Sequence, residues 1–581
     1  VVHKKEAWKE VCYGDEVRER ILEFAAEGFD SIAKEEREAW FSRFKFWGVF
    51  HQRTGQEGYF MLRLTNADGV LSPGQLQAIP EVARDYATGP LANPEFGNGF
   101  LDLTTRQSVQ LHWLKLEDIP AVWEHLEAVG VTSRSAGGDT MRNISGCPVA
   151  GKGREYVETL PLFERLQSDL RGDNELANLP RKFNISVTGC HEGCAQDSIN
   201  DIGLEPAHTT VDGEDIRGFN VRVGGGLGGR KPRRARALDV FVTPERAYDL
   251  VRAFVELYHE EGDRQRRAHN RARFFVADWG VEAIREELAS RVDFPLREGG
   301  EHFREAYTYN AGLPADAGRA DHVGVHPQAD GKNYVGLSVP VGRLPAEDRI
   351  ELADLADEYG SGEVQLTRRQ NPLVMDVSDE DLDDLLDEPL LSTYLPEPNP
   401  TERGAIACTG TEFCSLALTE TKARMARMLR WLHANVSLPE DVEHLYVHYS
   451  GCTADCGQAM TADIGLQGMR ARKDGGMVEA VDLGGGIGTE PSFVEWVRQR
   501  VPADEAPGAI KSLVEAFAAH HEDGQSFRQW VDATGTETLV ELCEPHETDY
   551  EDPCLHDAKQ SWYPFAGEED APTVEGVPSD D

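Results

Sequence analysis

Four cysteines fall in two close pairs, Cys408-x5-Cys414 and Cys452-x3-Cys456, with 37 residues between the pairs. Thiolates are soft ligands that suit an iron–sulfur cluster or zinc. Structural zinc sites favour short, matched spacings, so the unequal x5 and x3 gaps lean toward a cluster. Zinc and unligated core cysteines stay open as alternatives on spacing alone. The first pair is expected to precede a helix over 415–434, and the second to follow a strand over 444–449 in a loop carrying Gly451 and Gly457. Cys190 and Cys194 make a third close pair, Cys12 and Cys147 stand alone, and Cys543 and Cys554 lie near the end. Ten cysteines in 581 residues are too sparse for a disulfide-stapled secreted fold, and their clustering points to metal or redox work inside a cell.

The elements that position these residues come in two copies. Gly189-Cys190-His191-Glu192-Gly193-Cys194-Ala195-Gln196, continuing to Leu204, recurs 262 residues later as Gly451-Cys452-Thr453-Ala454-Asp455-Cys456-Gly457-Gln458, continuing to Leu466. Eight of these sixteen positions are identical. Gly224-Gly225-Gly226-Leu227-Gly228 answers Gly484-Gly485-Gly486-Ile487-Gly488, and Leu103-Thr104-Thr105-Arg106-Gln107 answers Leu366-Thr367-Arg368-Arg369-Gln370, at nearly the same offset. The chain is therefore a duplication. It predicts an α+β, pseudo-two-fold body with cofactors between its halves. Each half would be a small β-α-β-β-α-like unit followed by a larger mixed α/β unit.

In the first half, strands are expected over 59–64 and 101–113 and helices over 72–86 and 116–128. In the second, strands are expected over 334–341 and 364–377 and helices over 345–359 and 379–386. The division that follows is a helical segment 1–45, a small unit 46–128, a large unit 129–300, a small unit 301–390, a large unit 391–545 holding the paired cysteines, and an acidic extension 546–581 whose end, 568–581, reads as disordered. On the 101–113 strand, Arg106 and His112 lie six apart, and even spacing puts both on one face. By themselves they fit an anion contact or an ordinary solvated sheet face.

Asp and Glu total 102 against 59 Lys and Arg, a net charge of -43, and only 14 of the cations are Lys. Such a surface suits concentrated salt, where the Debye length shrinks to ~3 Å at 1 M. It disfavours nucleic acid as a partner, since a polyanion meets net repulsion. No apolar run approaches a membrane span and the first residues lack a signal-peptide core, so a cytoplasmic protein is expected. The run Gly224 to Gly229 does not open a helical pattern, so it is no dinucleotide fingerprint.

The cysteine pattern resembles the sirohaem nitrite and sulfite reductase family, whose members bind a [4Fe–4S] cluster through Cys-x5-Cys and Cys-x3-Cys. The similarity runs from about Arg43 past Gly488, most of the chain. It includes Arg43-Phe44-Lys45-Phe46-Trp47-Gly48, Phe60-Met61-Leu62-Arg63, the Thr104 to Gln107 segment, Met141-Arg142-Asn143 and Leu179-Pro180-Arg181-Lys182-Phe183-Asn184. The resemblance implies Cys408, Cys414, Cys452 and Cys456 as cluster ligands, with Cys456 also bridging to the sirohaem iron. It implies Arg106, Gln107 and His112 as contacts of the macrocycle, and Arg63, Arg142 and Lys182, with Asn184, as the oxyanion site. The segment between Arg63 and Arg106 is longer than the family pattern, and Thr65-Asn66-Ala67-Asp68 replaces its usual turn.

Sirohaem carries eight carboxylates and its substrate is itself an anion, so an acidic chain must gather cations locally. Sulfite reductases of this kind tend to read Lys-x-Lys where this chain reads Lys182-Phe183-Asn184, and a neutral amide favours a monoanion. The resemblance thus implies an assimilatory nitrite reductase of a halophile, serving nitrate assimilation, with sulfite reduction as the runner-up. A non-enzymatic electron-transfer or structural metal protein is the other class of reading. Reduced ferredoxin is the implied donor to a monomeric enzyme. The basic run Arg230-Lys231-Pro232-Arg233-Arg234-Ala235-Arg236 could dock it, neighbour sirohaem carboxylates, or be a solvated loop. Cys147 aligns with Cys408, but the partner of Cys414 falls at Lys152 or Gly153. The first-half cysteines therefore read as a relic of duplication packed like small apolar side chains, with a second cluster as the alternative.

Overall fold

In the computed structural model, residues 3–553 are described apart from 54, 66–68, 91, 94, 154, 191–192, 230, 303–320, 474–475, 486–492 and 547. Ser72 and Gln75 close a capping box and Pro73 takes the first helical position, which starts the helix Pro73–Tyr86. Its counterpart in the second half is Ala346–Tyr359, and the two helices pack on each other. Leu76, Ile79, Val82, Ala83, Leu352, Ala353 and Ala356 from these helices share one core with residues of both small units.

Each small unit's sheet is completed by the other half. The first runs Val49–His51, Tyr59–Arg63, Val109–Lys115, Phe100–Leu103 and then Arg343–Pro345; the second runs Gly324–Pro327, Asn333–Gly336, Pro372–Val377, Val364–Leu366 and then Val70–Leu71. Arg343 pairs with Asp102 and Val364 with Leu71, both antiparallel. The small units therefore clasp reciprocally around the pseudo-two-fold axis.

The large units also repeat. Ile185–Val187 pairs in parallel with Ile202–Val211, which continues antiparallel through Glu214–Val223 to Arg236–Val242. Val447–Ser450, Ile464–Lys473, Gly476–Gly485 and Glu495–Pro502 repeat that order and those directions. Helices Pro244–Glu261 and Ala506–His520 follow at equivalent places and bury Leu250, Val251, Phe254, Ile510, Leu513 and Phe517. The amide of Gln196 donates to that of Gln458 at 2.9 Å, joining two equivalent positions across the axis.

Several sequence expectations need correction. The strand expected over 101–113 is a hairpin, Phe100–Leu103 and Val109–Lys115, with Gln107 at φ 53° in its turn. The strand expected over 364–377 splits likewise, with Gln370 at φ 65°. Neither turn contains Gly or Pro, so the apolar runs on either side read as one. The expected helix 415–434 begins only at Lys422 and ends at Asn435. Before it, Leu418 donates to the Gly451 carbonyl and Thr421 to that of Cys408, tertiary bonds that override helix propensity. The strand expected over 444–449 is Val447–Ser450, and that over 334–341 shortens to Asn333–Gly336. His191, Glu192, Arg230, the 66–68 turn, Gly486 to Gly488, Cys554 and the acidic 568–581 end lie outside the described residues. No helix among the described residues is long and apolar enough to cross a membrane.

Candidate functional site

Cys408, Cys414, Cys452 and Cys456 all line one cavity of about 530 Å³ between the halves. No three of their sulfurs lie within 4.8 Å of one another, so among the described residues they do not form a single-ion site. Four thiols spread around one space instead suit a cluster, which distributes its ligands over separate irons. Burial pushes the Cys408 thiol up, and burial raises Cys452 to about 12. Iron beside them would reverse this, because a bound metal ion stabilises the thiolate. The Gly451 N–H already donates to the Cys408 sulfur at 3.1 Å.

The loop between Cys408 and Cys414 is fastened from both halves. The Glu412 carboxylate accepts from Arg343 Nη1 at 2.6 Å and from Asn93 Nδ2 at 2.9 Å, while the Glu420 carboxylate accepts from the Glu412 N–H at 2.9 Å. Arg343 also grips both Asp102 oxygens, at 2.7 and 3.0 Å. All of these groups are buried, and removing one partner would strand a charge. In the second loop, Ser450 Oγ donates to Asp455 and the Thr105 hydroxyl donates to the Cys456 carbonyl at 3.2 Å.

The same cavity is also lined by cations. Arg63 and Arg142 meet at the Ala136 carbonyl, at 3.4 and 2.7 Å, and Arg142 also donates to the Gly138 carbonyl. Arg106 Nη2 donates to Asn200 at 3.1 Å, and Arg271 pairs with Asp201. Lys182 makes no ion pair or hydrogen bond with the described residues. Burial, and then the neighbouring Arg271, drive it well below the usual lysine range. Burial with adjacent guanidinium groups brings Arg106 and Arg142 down to about 9. Arg106 Nη1, Arg142 Nε, Arg271 Nε, Arg368 Nε and Asn184 Oδ1 are buried with no hydrogen-bond partner among the described residues. The four open guanidinium donors in one cavity of an acidic chain fit a polyanionic macrocycle together with a small oxyanion.

The cavity thus brings together Arg63, Arg106, Arg142, Lys182, Asn184 and the four cysteines. Two of the residues expected to contact the macrocycle are engaged within the protein. Gln107 does not line the cavity: it is buried, and its amide oxygen accepts from the Gly146 N–H at 3.0 Å. His112 does not share a strand with Arg106, which sits in the hairpin turn. Its ring reaches the cavity wall but pairs with Asp102 at 3.0 Å and stacks on Phe413 at 4.0 Å, inside the first cysteine loop. Lys45, Arg181, Arg271, Arg368 and Lys422 also line the space. Arg181 and Lys45 stood within quoted motifs and Arg368 within the repeat, whereas Arg271 and Lys422 carried no signal in sequence.

The first-half glycine run packs on the second-half cysteine loop. Gly229 donates to the Thr453 carbonyl at 2.6 Å, and a Cβ on Gly228 would lie 2.6 Å from the Ala454 carbonyl oxygen. Gly228→Val is therefore expected to displace the 452–456 loop, costing about 1–3 kcal/mol as overpacking. Thermal unfolding and cluster absorbance per chain should both fall; an unchanged pair would mean the loop yields freely.

Two family models together match most of the chain. One, described as the nitrite and sulphite reductase 4Fe-4S domain, matches residues 137–296 and 400–549. The other, the nitrite/sulfite reductase ferredoxin-like half domain, matches 51–129 and 326–391. The chain is 71% identical over 577 residues to an assimilatory ferredoxin-dependent nitrite reductase of Haloferax mediterranei, covering 98% of each chain. It is 39% identical over 513 residues to a ferredoxin–nitrite reductase of Synechococcus elongatus, covering 87% of this chain and 94% of that one. Among solved structures, that of the Mycobacterium tuberculosis NirA protein superposes with a TM-score of 0.82 at 28% identity, covering 93% of this chain and 97% of that one.

Proposed function

The chain belongs to the nitrite and sulphite reductase family, and from that membership we propose that it is an assimilatory ferredoxin-dependent nitrite reductase. It takes nitrite, six electrons and eight protons to ammonium and two waters. Sirohaem and a [4Fe–4S] cluster supply the electron transfer and the reducing centre when bound. Cys408, Cys414, Cys452 and Cys456 would hold the cluster, with Cys456 next to the macrocycle. Arg106, Arg271 and Arg368 would pair with the macrocycle's carboxylates through the donors they leave open.

The observation that carries this reading is that Arg63, Arg142 and Lys182, all half-buried, line the same cavity as the four cysteines. In a chain of net charge -43, these cations provide the positive field an oxyanion needs in order to enter. Arg63 and Arg142, braced on the Ala136 carbonyl, orient the anion. Burial and Arg271 disfavour a charged Lys182 and an anion alongside favours it again, so with substrate in place its ammonium neutralises charge as the N–O bonds break and can hand over a proton from Nζ. Asn184, a neutral amide where a second ammonium could stand, suits a monoanion. Reduced ferredoxin is the donor in this reading, and the protein acts as a cytoplasmic monomer without nucleic acid or membrane partners.

The test is anaerobic turnover of nitrite and of sulfite in molar salt, with reduced viologen or ferredoxin as donor. Faster turnover on nitrite, with ammonium as product, is expected, and Asn184→Lys should raise the sulfite-to-nitrite ratio about tenfold, the worth of ~1.4 kcal/mol. A preference for sulfite in the unmodified protein would overturn the substrate assignment. Absence of turnover on either, in protein lacking sirohaem, would favour the electron-transfer or structural reading.

A further inference from the structure

The first-half cysteines do not lie scattered in the core as a packed relic would allow. Cys147, Cys194 and His322 bring one ligand atom each to within 4.8 Å of one another. Cys190 is buried in the same cluster as Cys147 and Cys194 but lies outside that 4.8 Å set. All of these cysteines are free of disulfides. A tetrahedral zinc site with ~2.3 Å Zn–S bonds places its sulfurs about 3.8 Å apart, which fits this crowding. The spacing contrasts with that of the cavity cysteines, no three of which close to 4.8 Å.

We propose that Cys147, Cys194 and His322, joined by Cys190 once the ion is bound, form a structural site for one thiophilic divalent cation, zinc. Alignment within the duplication leaves Lys152 or Gly153 where a fourth thiol would stand, and His322 supplies the missing ligand from the opposite half. Cys190-x3-Cys194 falls within the spacing common to structural zinc sites.

The histidine is held for this role. Its Nδ1 lies 3.0 Å from the Tyr334 hydroxyl, so Nε2 would be the ligand, and a ligating imidazole ordinarily has its other nitrogen fixed in this way. His322 adopts φ 62°, a conformation that costs a non-glycine residue about 1–3 kcal/mol. A Cβ at Gly336 would collide with its carbonyl oxygen, so the approach depends on glycine there. The preceding Asp321 is clamped by Arg403 at 2.7 and 3.1 Å. Val149, Ala150, Leu373 and Met375 complete a dry shell, and Arg368 donates to the Ala195 carbonyl beside Cys194, placing a positive charge next to the thiolates. The ion would pin the first large unit to the second small one, opposite the [4Fe–4S] ligands across the pseudo-two-fold axis.

The test is metal analysis of the untagged holoenzyme by mass spectrometry, with zinc-edge X-ray absorption on the same sample. About one zinc per chain is expected beside the iron, with three sulfurs near ~2.3 Å and one nitrogen near ~2.0 Å. His322→Ala and Cys147→Ser should lose at least about nine tenths of that zinc while iron per chain and the sirohaem absorbance hold, whereas Cys414→Ser should lose iron and keep zinc. Should either zinc variant fail to fold, the absorption spectrum of the unmodified protein decides alone. Zinc well below stoichiometry, a zinc shell without this ligand set, or iron and sulfide in excess of one cluster would each overturn the proposal.

Discussion

Cys414→Ser is expected to purify without its [4Fe–4S] cluster and without nitrite turnover. Losing a partner that merely orients a metal ligand already costs ~10–100-fold, and losing the ligand itself should cost more. Cys414 has no substitute nearby: it is set by its own N–H to the Gly410 carbonyl at 3.0 Å and by the Ala417 N–H to its carbonyl at 3.2 Å. Gly410, at φ 70°, turns the loop where a Cβ would lie 2.7 Å from Glu420 and Thr421 atoms, so the loop cannot slide to present another residue. Iron and sulfide per chain, the spectrum of the reduced cluster and viologen-driven turnover report the result together. Cys12→Ser, a core position away from the cavity, is the control and should keep all three. A Cys414→Ser protein with full cluster and turnover would remove the four-cysteine assignment.

Lys182→Ala should lower kcat/KM for nitrite by about 10²–10³-fold, the usual effect of deleting one preorganised donor at developing negative charge. Lys182 is well suited to show it, because it has no carboxylate partner among the described residues and so would not leave an anion stranded when removed. The split between parameters separates two roles. If Lys182 only attracts nitrite, KM rises and kcat holds; if its charge serves bond breaking, kcat falls with kcat/KM. We expect the second, with cofactor content unchanged. A variant within threefold of the parent in both parameters would exclude Lys182 from the site.

Most of the site was legible because its residues sit in compact motifs. Cys408 to Cys414 and Cys452 to Cys456 hold candidate ligands within a few positions, so their spacing pointed to a metal centre, whereas Arg181 to Asn184 gained meaning only from the family resemblance. The duplication was legible as well, since local copies survive at a fixed offset. Long-range pairings left no trace. Arg343 meets Asp102 and Glu412 across 241 and 69 residues, and a lone Arg in an apolar stretch carries no sign of two carboxylates waiting elsewhere. Val70–Leu71 and Arg343–Pro345 are too short to read as strands, so the clasp was invisible. Arg106 and His112 misled because period-two counting assumes an unbroken strand, and the turn between them has no Gly or Pro to announce it. His322 stood in no motif, and only the fold brings it to the first-half thiols.

The reciprocal strands make the molecule a tethered dimer rather than two joined domains. Neither half can finish its own sheet, so neither has a folded state of its own to fall back on, and cutting the chain between them should yield fragments that fold only together. The strand pairs that complete the clasp join positions more than two hundred residues apart, and loop-closure entropy places such contacts late in folding. The cavity between the halves would then be more open to large guests until the last pairs form. Fusion also frees the two copies from identity: a symmetric pair must keep two equal sites, whereas one chain can devote one copy to redox chemistry and let the other become its scaffold.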